Sequence, residues 1–142
     1  MDTHITLVQR SFAQASRFPA HFAATFYGEL FAIDPEARAL FKGDMIAQGD
    51  KLTKMMEYVV NALDQPEVII PAMRELAVRH IGYGVKPQHY TSVGTALMRT
   101  LKHELGAAFT PEVRSAWISA YDLISGVMRE ASATSAPASR LP

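Results

Sequence analysis

The stretch RHIGYGVKPQHY, residues 79–90, carries two histidines and two tyrosines that could take part in metal or acid–base chemistry. His80 follows Leu76 by four residues and Ala77 by three, so helical spacing places its imidazole on an apolar face. A neutral imidazole in apolar surroundings can coordinate a metal when its other nitrogen is hydrogen-bonded. The alternative is a buried histidine whose hydrogen bond goes to a carbonyl one turn earlier.

The other four histidines are weaker candidates for such chemistry. His4 lies near the N-terminus, His21 lies in the first turn of its predicted helix, and His103 falls off the apolar face of its own helix. We expect solvated or local capping roles for these three. His89 is the rival of His80, but its position in a first turn predicts a half-exposed side chain.

Composition excludes several classes of function. The chain has no cysteine, which rules out disulfides, thiolate catalysis and cysteine-ligated zinc, haem or iron–sulfur centres. Acidic and basic residues number 14 each, and no basic stretch supports nucleic-acid binding. No apolar run is long enough for a membrane span, and MDTHITLVQR lacks the features of a signal peptide, so we expect a cytoplasmic protein. Phosphate-binding glycine loops and glycine-flanked nucleophilic serines are also missing from the sequence.

Apolar residues recur at helical spacing along nearly the whole chain, and no alternating strand pattern is visible. The pattern predicts an all-α domain of six to eight helices over residues 1–131. The final segment, residues 132–142, is small and polar and contains proline, so we predict a disordered tail.

Proline and glycine mark the predicted helix boundaries. Thr110–Pro111–Glu112 combines a hydroxyl cap, a first-turn proline and an acid, and Asp34–Pro35–Glu36 has the same design. Pro71 is predicted to begin the helix that carries His80, and two glycines after His80 are predicted to end it. The next helix is predicted to open at Pro87, with Tyr90 on its apolar side.

Four segments, in this order and spacing, resemble one known family. They are FYGELFAIDPEARALF (26–41), QGDKL (48–52), IIPAMRELAVRHIGYGVKPQHYTSVGTAL (69–97) and AWISAYDLISGVM (116–128). Over about residues 5–130 the chain resembles the bacterial single-domain globins of the flavohaemoglobin lineage. The resemblance implies the globin fold, a 3-over-3 helical sandwich around haem b.

On the proximal side of the haem, the resemblance implies that His80 is the protein ligand to iron. Arg79, beside it, would reach a haem propionate or remain solvated. Tyr90 matches a tyrosine that forms a hydrogen-bonded group around the proximal histidine with a glutamate of the last helix. The nearest acid is Glu130, which falls one or two residues short of the family's position when counted from Trp117.

On the distal side, the resemblance assigns the residues that face a bound gas. Tyr27 matches the tyrosine whose hydroxyl donates to oxygen, and Phe41 matches the phenylalanine that packs against the haem. Gln48 and Leu52 match the polar and apolar residues of the distal helix, and their i, i+4 spacing places them on one face.

The implied function is tight binding of O2 at ferrous iron, used for O2 storage or delivery or for nitric oxide dioxygenation. Flavohaemoglobins continue into flavin- and nicotinamide-binding domains that this sequence does not include, so turnover would need a separate reductase. Nitric oxide and other diatomic gases are the expected ligands, and the protein would be a monomer or a homodimer. Two alternatives remain: a haem-based gas sensor without turnover, and a haemless helical bundle.

Overall fold

The computed structural model describes residues 3–82 and 84–140, with side chains described over 4–81 and 84–133. These residues form six α-helices and two short 3₁₀ helices, and no strand occurs among them, which confirms the all-α prediction. In chain order the elements are α1 (Thr3–Ala15), α2 (Pro19–Ile33), a 3₁₀ helix (Pro35–Leu40), α3 (Met45–Asn61), α4 (Pro66–Gly82), α5 (Pro87–Leu105), a second 3₁₀ helix (Gly106–Ala108) and α6 (Pro111–Arg140).

Side-chain caps fix the starts of α3 and α6. The carboxylate of Asp44 accepts a hydrogen bond from the backbone N–H of Ile46 at 2.9 Å. The hydroxyl of Thr110 accepts from the N–H of Val113 at 3.2 Å, as its place before a first-turn proline predicts. Each cap satisfies an N–H that has no partner within its helix, so both starts are local properties of the sequence.

Two predictions about helix starts differ from the structure: the position of the start of α4, and the side-chain cap of the first 3₁₀ helix, which does begin at Pro35 as predicted. Helix α4 begins at Pro66 and contains Pro71, so the prediction that Pro71 starts the helix is wrong. Pro71 lies in the second turn, where its missing N–H costs one hydrogen bond to the carbonyl of the exposed Glu67. Asp34 precedes the first 3₁₀ helix but makes no side-chain cap; its carboxylate instead accepts a hydrogen bond from Ser92 of α5.

The interior consists of two clusters of apolar side chains. The first joins α1, α2, α5 and α6 around Phe12, Phe22 and Trp117, and the Trp117 indole N–H donates to Ser11 at 2.8 Å. The second joins α3, α4 and α6 and includes Met73, Ala77 and Met128. Burial of each large apolar side chain contributes about 1.5–3 kcal/mol, so these two clusters fix how the helices pack.

The last helix reaches beyond the predicted domain boundary. Helix α6 runs to Arg140, so it includes most of the segment assigned from sequence to a tail. Disorder of residues 132–142 stays a prediction, and residues 141–142 lie outside the described residues. Across the described part of the chain, none of the helices combines the length and the apolar character needed to span a bilayer.

Candidate functional site

His80 lies near the end of α4, half-buried, and its ring is oriented by a backbone carbonyl. Its Nδ1 lies 2.8 Å from the carbonyl oxygen of Leu76. Since a carbonyl can only accept, Nδ1 carries the proton and the lone pair resides on Nε2. Burial lowers the pKa of His80; the Leu76 carbonyl opposes this shift, and the charge of Arg79 adds to it. The imidazole is therefore neutral at neutral pH, with Nε2 in the form that binds metal ions.

The hydrogen bond to Leu76 is the one expected of an ordinary buried histidine. It is also the bond that a ligating histidine needs, because it fixes the tautomer and the ring orientation. Among the described residues there is no group of three or more histidine, cysteine, aspartate or glutamate side chains that could hold a metal ion. A metal at His80 would thus take most of its ligands from a non-protein group such as a porphyrin, which the single imidazole fits.

A tight turn after α4 brings Tyr90 back against that helix. Gly84 has a φ of +90°, a left-handed conformation that favours glycine, and its N–H donates to the carbonyl of Ile81 at 3.0 Å. The N–H of Val85 donates to the carbonyl of His80 itself at 3.0 Å, which closes the helix. Tyr90 is buried in the second cluster, to which Ala77 of α4 also belongs.

Tyr90 has a polar neighbour that the sequence did not indicate. Ser132 of α6 lies close enough to its hydroxyl to lower its pKa, and the guanidinium of Arg129 lies 5.7 Å from its ring centre. Burial raises the pKa of Tyr90, while Ser132 and Arg129 oppose that shift, so the phenol stays protonated at neutral pH. The hydroxyl of Tyr121 donates to the backbone carbonyl of Tyr90 and holds this part of α5 against α6.

Ser132 lies two residues beyond Glu130, in the direction in which the spacing from Trp117 displaced the family's glutamate. Glu130 was predicted because only acidic side chains were considered near this position, and the hydroxyl of Ser132 was not. Glu130 is exposed on α6. Its part in a proximal hydrogen-bonded group stays a prediction.

Aromatic side chains from α2 and from the loop after the first 3₁₀ helix pack together around Tyr27. Tyr27 is buried, and its ring meets Phe41 edge-on with centroids 5.1 Å apart. Phe31, one turn further along α2, stacks on Tyr27 at 5.8 Å. Such contacts restrict ring motion, so the hydroxyl of Tyr27 is held in a defined position.

Gln48 of α3 contacts Tyr27 directly. Its side-chain amide donates to the Tyr27 hydroxyl oxygen at 3.3 Å. Burial raises the pKa of Tyr27, and the bond from Gln48 opposes that shift, so the phenol is protonated at neutral pH. Since the oxygen accepts from Gln48, the phenolic proton is available for a second acceptor. Leu52, one turn on, is half-buried and packs against the first cluster.

The structure thus groups the predicted residues into two sets. Tyr27 packs in the first cluster, Phe41 and Leu52 pack against it, and Tyr90 lies in the second cluster. The roles assigned to the individual side chains stay predictions.

Arg79, His21 and His103 lie at the surface, and His89 is half-buried, as predicted. Arg79 is exposed and lies 3.8 Å from the carboxylate of Glu75, so contact with a haem propionate stays a prediction. His21 and His103 both contact Glu104, at 2.8 and 3.1 Å. His89 accepts a hydrogen bond from the backbone N–H of Lys86 at 2.8 Å, which is a local capping role.

Comparisons with known proteins agree with this geometry. A family model described as Globin matches residues 24–128. A flavohemoprotein of Xylella fastidiosa is 31% identical over 130 residues, covering 89% of this chain and 32% of the relative. A flavohemoprotein of Bacillus subtilis is 33% identical over 103 residues, covering 70% and 26%.

Among solved structures, an engineered carbene transferase superposes with a TM-score of 0.82 and 27% sequence identity, over 94% of each chain. It is derived from a Rhodothermus marinus protein described as a candidate nitric oxide dioxygenase. The chain spans about a quarter to a third of the length of the curated relatives that it matches. The sequence similarity therefore covers only about a quarter to a third of each of those proteins.

Proposed function

Since this chain belongs to the globin family, which implies haem binding, we propose that it holds haem b through His80 and binds O2 beside Tyr27 and Gln48. The observation that carries the proposal is the contact between the Gln48 amide and the hydroxyl of the buried Tyr27. This contact leaves a phenolic proton for a ligand atom. A helical bundle without a cofactor has no evident need for it.

Bound haem would supply a ferrous iron at which O2 binds and at which nitric oxide is converted to nitrate. The chain's own residues prepare the two sides of that site. The hydrogen bond from His80 to Leu76 orients the imidazole and makes it a stronger donor. On the other side, Phe41 and Leu52 keep the space apolar, which limits the access of water.

The hydroxyl of Tyr27 stabilises negative charge that develops on a ligand in the distal space. A hydrogen bond to a charged acceptor contributes about 1.5–3 kcal/mol, which is roughly a tenfold to hundredfold increase in ligand retention. The raised pKa of Tyr27 keeps its proton in place at neutral pH. We therefore assign high O2 affinity chiefly to Tyr27, with Gln48 as its positioning partner.

On the proximal side we propose that Tyr90 and Ser132 form the hydrogen-bonded group near His80. The effect of Ser132 on the pKa of Tyr90 and the buried position of Tyr90 support this assignment. Glu130 would contribute its negative charge from the edge of the group, and Arg79 would pair with a haem propionate.

Nitric oxide dioxygenation is the activity that we propose for this site. The flavohemoprotein relatives and the structural match to a protein described as a nitric oxide dioxygenase support it. Formation of nitrate from nitric oxide and O2 consumes an electron, so sustained turnover requires an electron donor, which we propose to be a separate reductase. We propose a cytoplasmic monomer or homodimer that receives its electrons from such a partner.

Nitric oxide consumption by the haem-loaded protein tests this activity. With NADH and an added flavin reductase, an electrode should record continuous loss of nitric oxide, with nitrate formed in equal amount. Without the reductase, consumption should stop after a single turnover because the iron is left oxidised. A protein that binds O2 but consumes no nitric oxide with the reductase present would contradict the activity and favour sensing or storage.

A further inference from the structure

Helices α2 and α3 make an unusually close approach at Gly49 and Ala23. Gly49 is buried in α3, and a Cβ atom built on it would lie only 2.8 Å from the Cβ of Ala23. Carbon atoms pack at about 3.5–4.0 Å, so a methyl group at position 49 would separate the two helices by roughly 1 Å. Alanine has no rotamer to change, so the strain cannot be relieved by a side chain.

This close approach lies next to the distal pair. Gln48 directly precedes Gly49 on α3, and Tyr27 follows Ala23 by four residues, on the same face of α2. The bond between them, from the Gln48 amide to the Tyr27 hydroxyl, measures 3.3 Å. Hydrogen bonds of this type are usually about 2.7–3.2 Å long, so little further separation is tolerated. A spread of the helices at Gly49 would break it.

The backbone of α3 is reinforced at the same point. The hydroxyl of the buried Thr53, one turn after Gly49, donates to the carbonyls of Gly49 and Asp50, each at 3.2 Å. Ala23 is also buried, with 3% of its surface exposed. Both sides of the contact are thus held firmly, and the contact itself limits how close Gln48 comes to Tyr27.

We propose that Gly49 and Ala23 are positioning residues that set the length of the Gln48–Tyr27 hydrogen bond, and through it the ligand retention of the distal site. The structural half of this inference depends on α2 and α3 alone. The effect on ligand retention rests on the proposed function.

The test is Gly49→Ala, examined first by NMR with labelled glutamine and tyrosine. Gly49→Ala should lose the nuclear Overhauser effect between the Gln48 amide and the Tyr27 ring, in haem-free and haem-loaded protein alike. In the haem-loaded protein, release of O2 should become about threefold to tenfold faster, the amount expected from loss of one neutral hydrogen bond. If haem fails to bind, the signal in haem-free protein still decides the positioning role.

Two further variants separate positioning from general packing. Gly28→Ala is the matched control, because a Cβ at Gly28 of α2 meets nothing within 4 Å; it should change neither readout. Ala23→Gly combined with Gly49→Ala moves the methyl group from one helix to the other. This double variant should restore the nuclear Overhauser effect and the wild-type rate of O2 release. If Gly49→Ala fails to fold, the double variant and Ala23→Gly alone should still show the nuclear Overhauser effect. A Gly49→Ala protein that melts earlier but keeps the effect, or a double variant without rescue, would overturn the inference.

Discussion

Replacement of His80 by alanine is expected to abolish haem retention, so the purified variant should lack a Soret band. Removal of a residue that only hydrogen-bonds a metal ligand typically lowers the metal affinity by about 10–100-fold. Loss of the ligand itself should lower the haem affinity further. Among the described residues, no group of three or more histidine, cysteine, aspartate or glutamate side chains forms an alternative metal site. Absorbance of wild type and variant, purified side by side and normalised to protein, measures the effect.

His103→Ala is the matched control for that experiment. His103 is exposed and contacts Glu104 at the surface, so its loss should leave haem content unchanged. Added imidazole offers a second check, because it can occupy the cavity left by His80→Ala and restore binding in part. A His80→Ala protein with a native Soret band would show that another side chain holds the iron.

Tyr27→Phe is expected to release O2 roughly tenfold to hundredfold faster, by loss of a hydrogen bond to a charged acceptor. Phenylalanine keeps the ring that meets Phe41 edge-on and stacks on Phe31, so the wall of the site should persist. Only the hydroxyl, with its proton and its contact to Gln48, is removed. Stopped-flow displacement of O2 by carbon monoxide measures the rate.

The comparison needs a tyrosine outside the site. Tyr58, on α3, is 52% exposed, so Tyr58→Phe should leave the release rate at the wild-type value. An unchanged rate in Tyr27→Phe would show that its hydroxyl does not donate to the ligand. The assignment of O2 retention would then pass to Gln48.

Helical spacing and local caps predicted most of the fold. The apolar periodicity identified the face of α4 that carries His80, and Thr110 marked the start of α6 through a bond within four residues. The prediction that Pro71 starts a helix was wrong because a proline is tolerated in the second turn of α4, where its missing N–H removes only one hydrogen bond, to an exposed carbonyl. The predicted side-chain cap at Asp34 was wrong because its carboxylate accepts a hydrogen bond from Ser92, which is 58 residues away in sequence.

The site was harder to predict, since its contacts join distant parts of the chain. No spacing rule relates Gln48 to Tyr27 across two helices; only the family resemblance paired them, and the structure brings them together. Ser132 was missed because serine in a small, polar stretch has the composition of a tail. Its proximity to Tyr90 depends on how α6 packs on α5, and that packing is a property of the folded molecule.

The visible spectrum of the reduced wild-type protein, recorded without and then with O2, tests the central claim most directly. A haem globin with His80 as ligand should show a Soret band that shifts when O2 is admitted and shifts back when O2 is removed. Folded protein that stays colourless after incubation with haem, or binds haem with a spectrum indifferent to O2, would contradict the account.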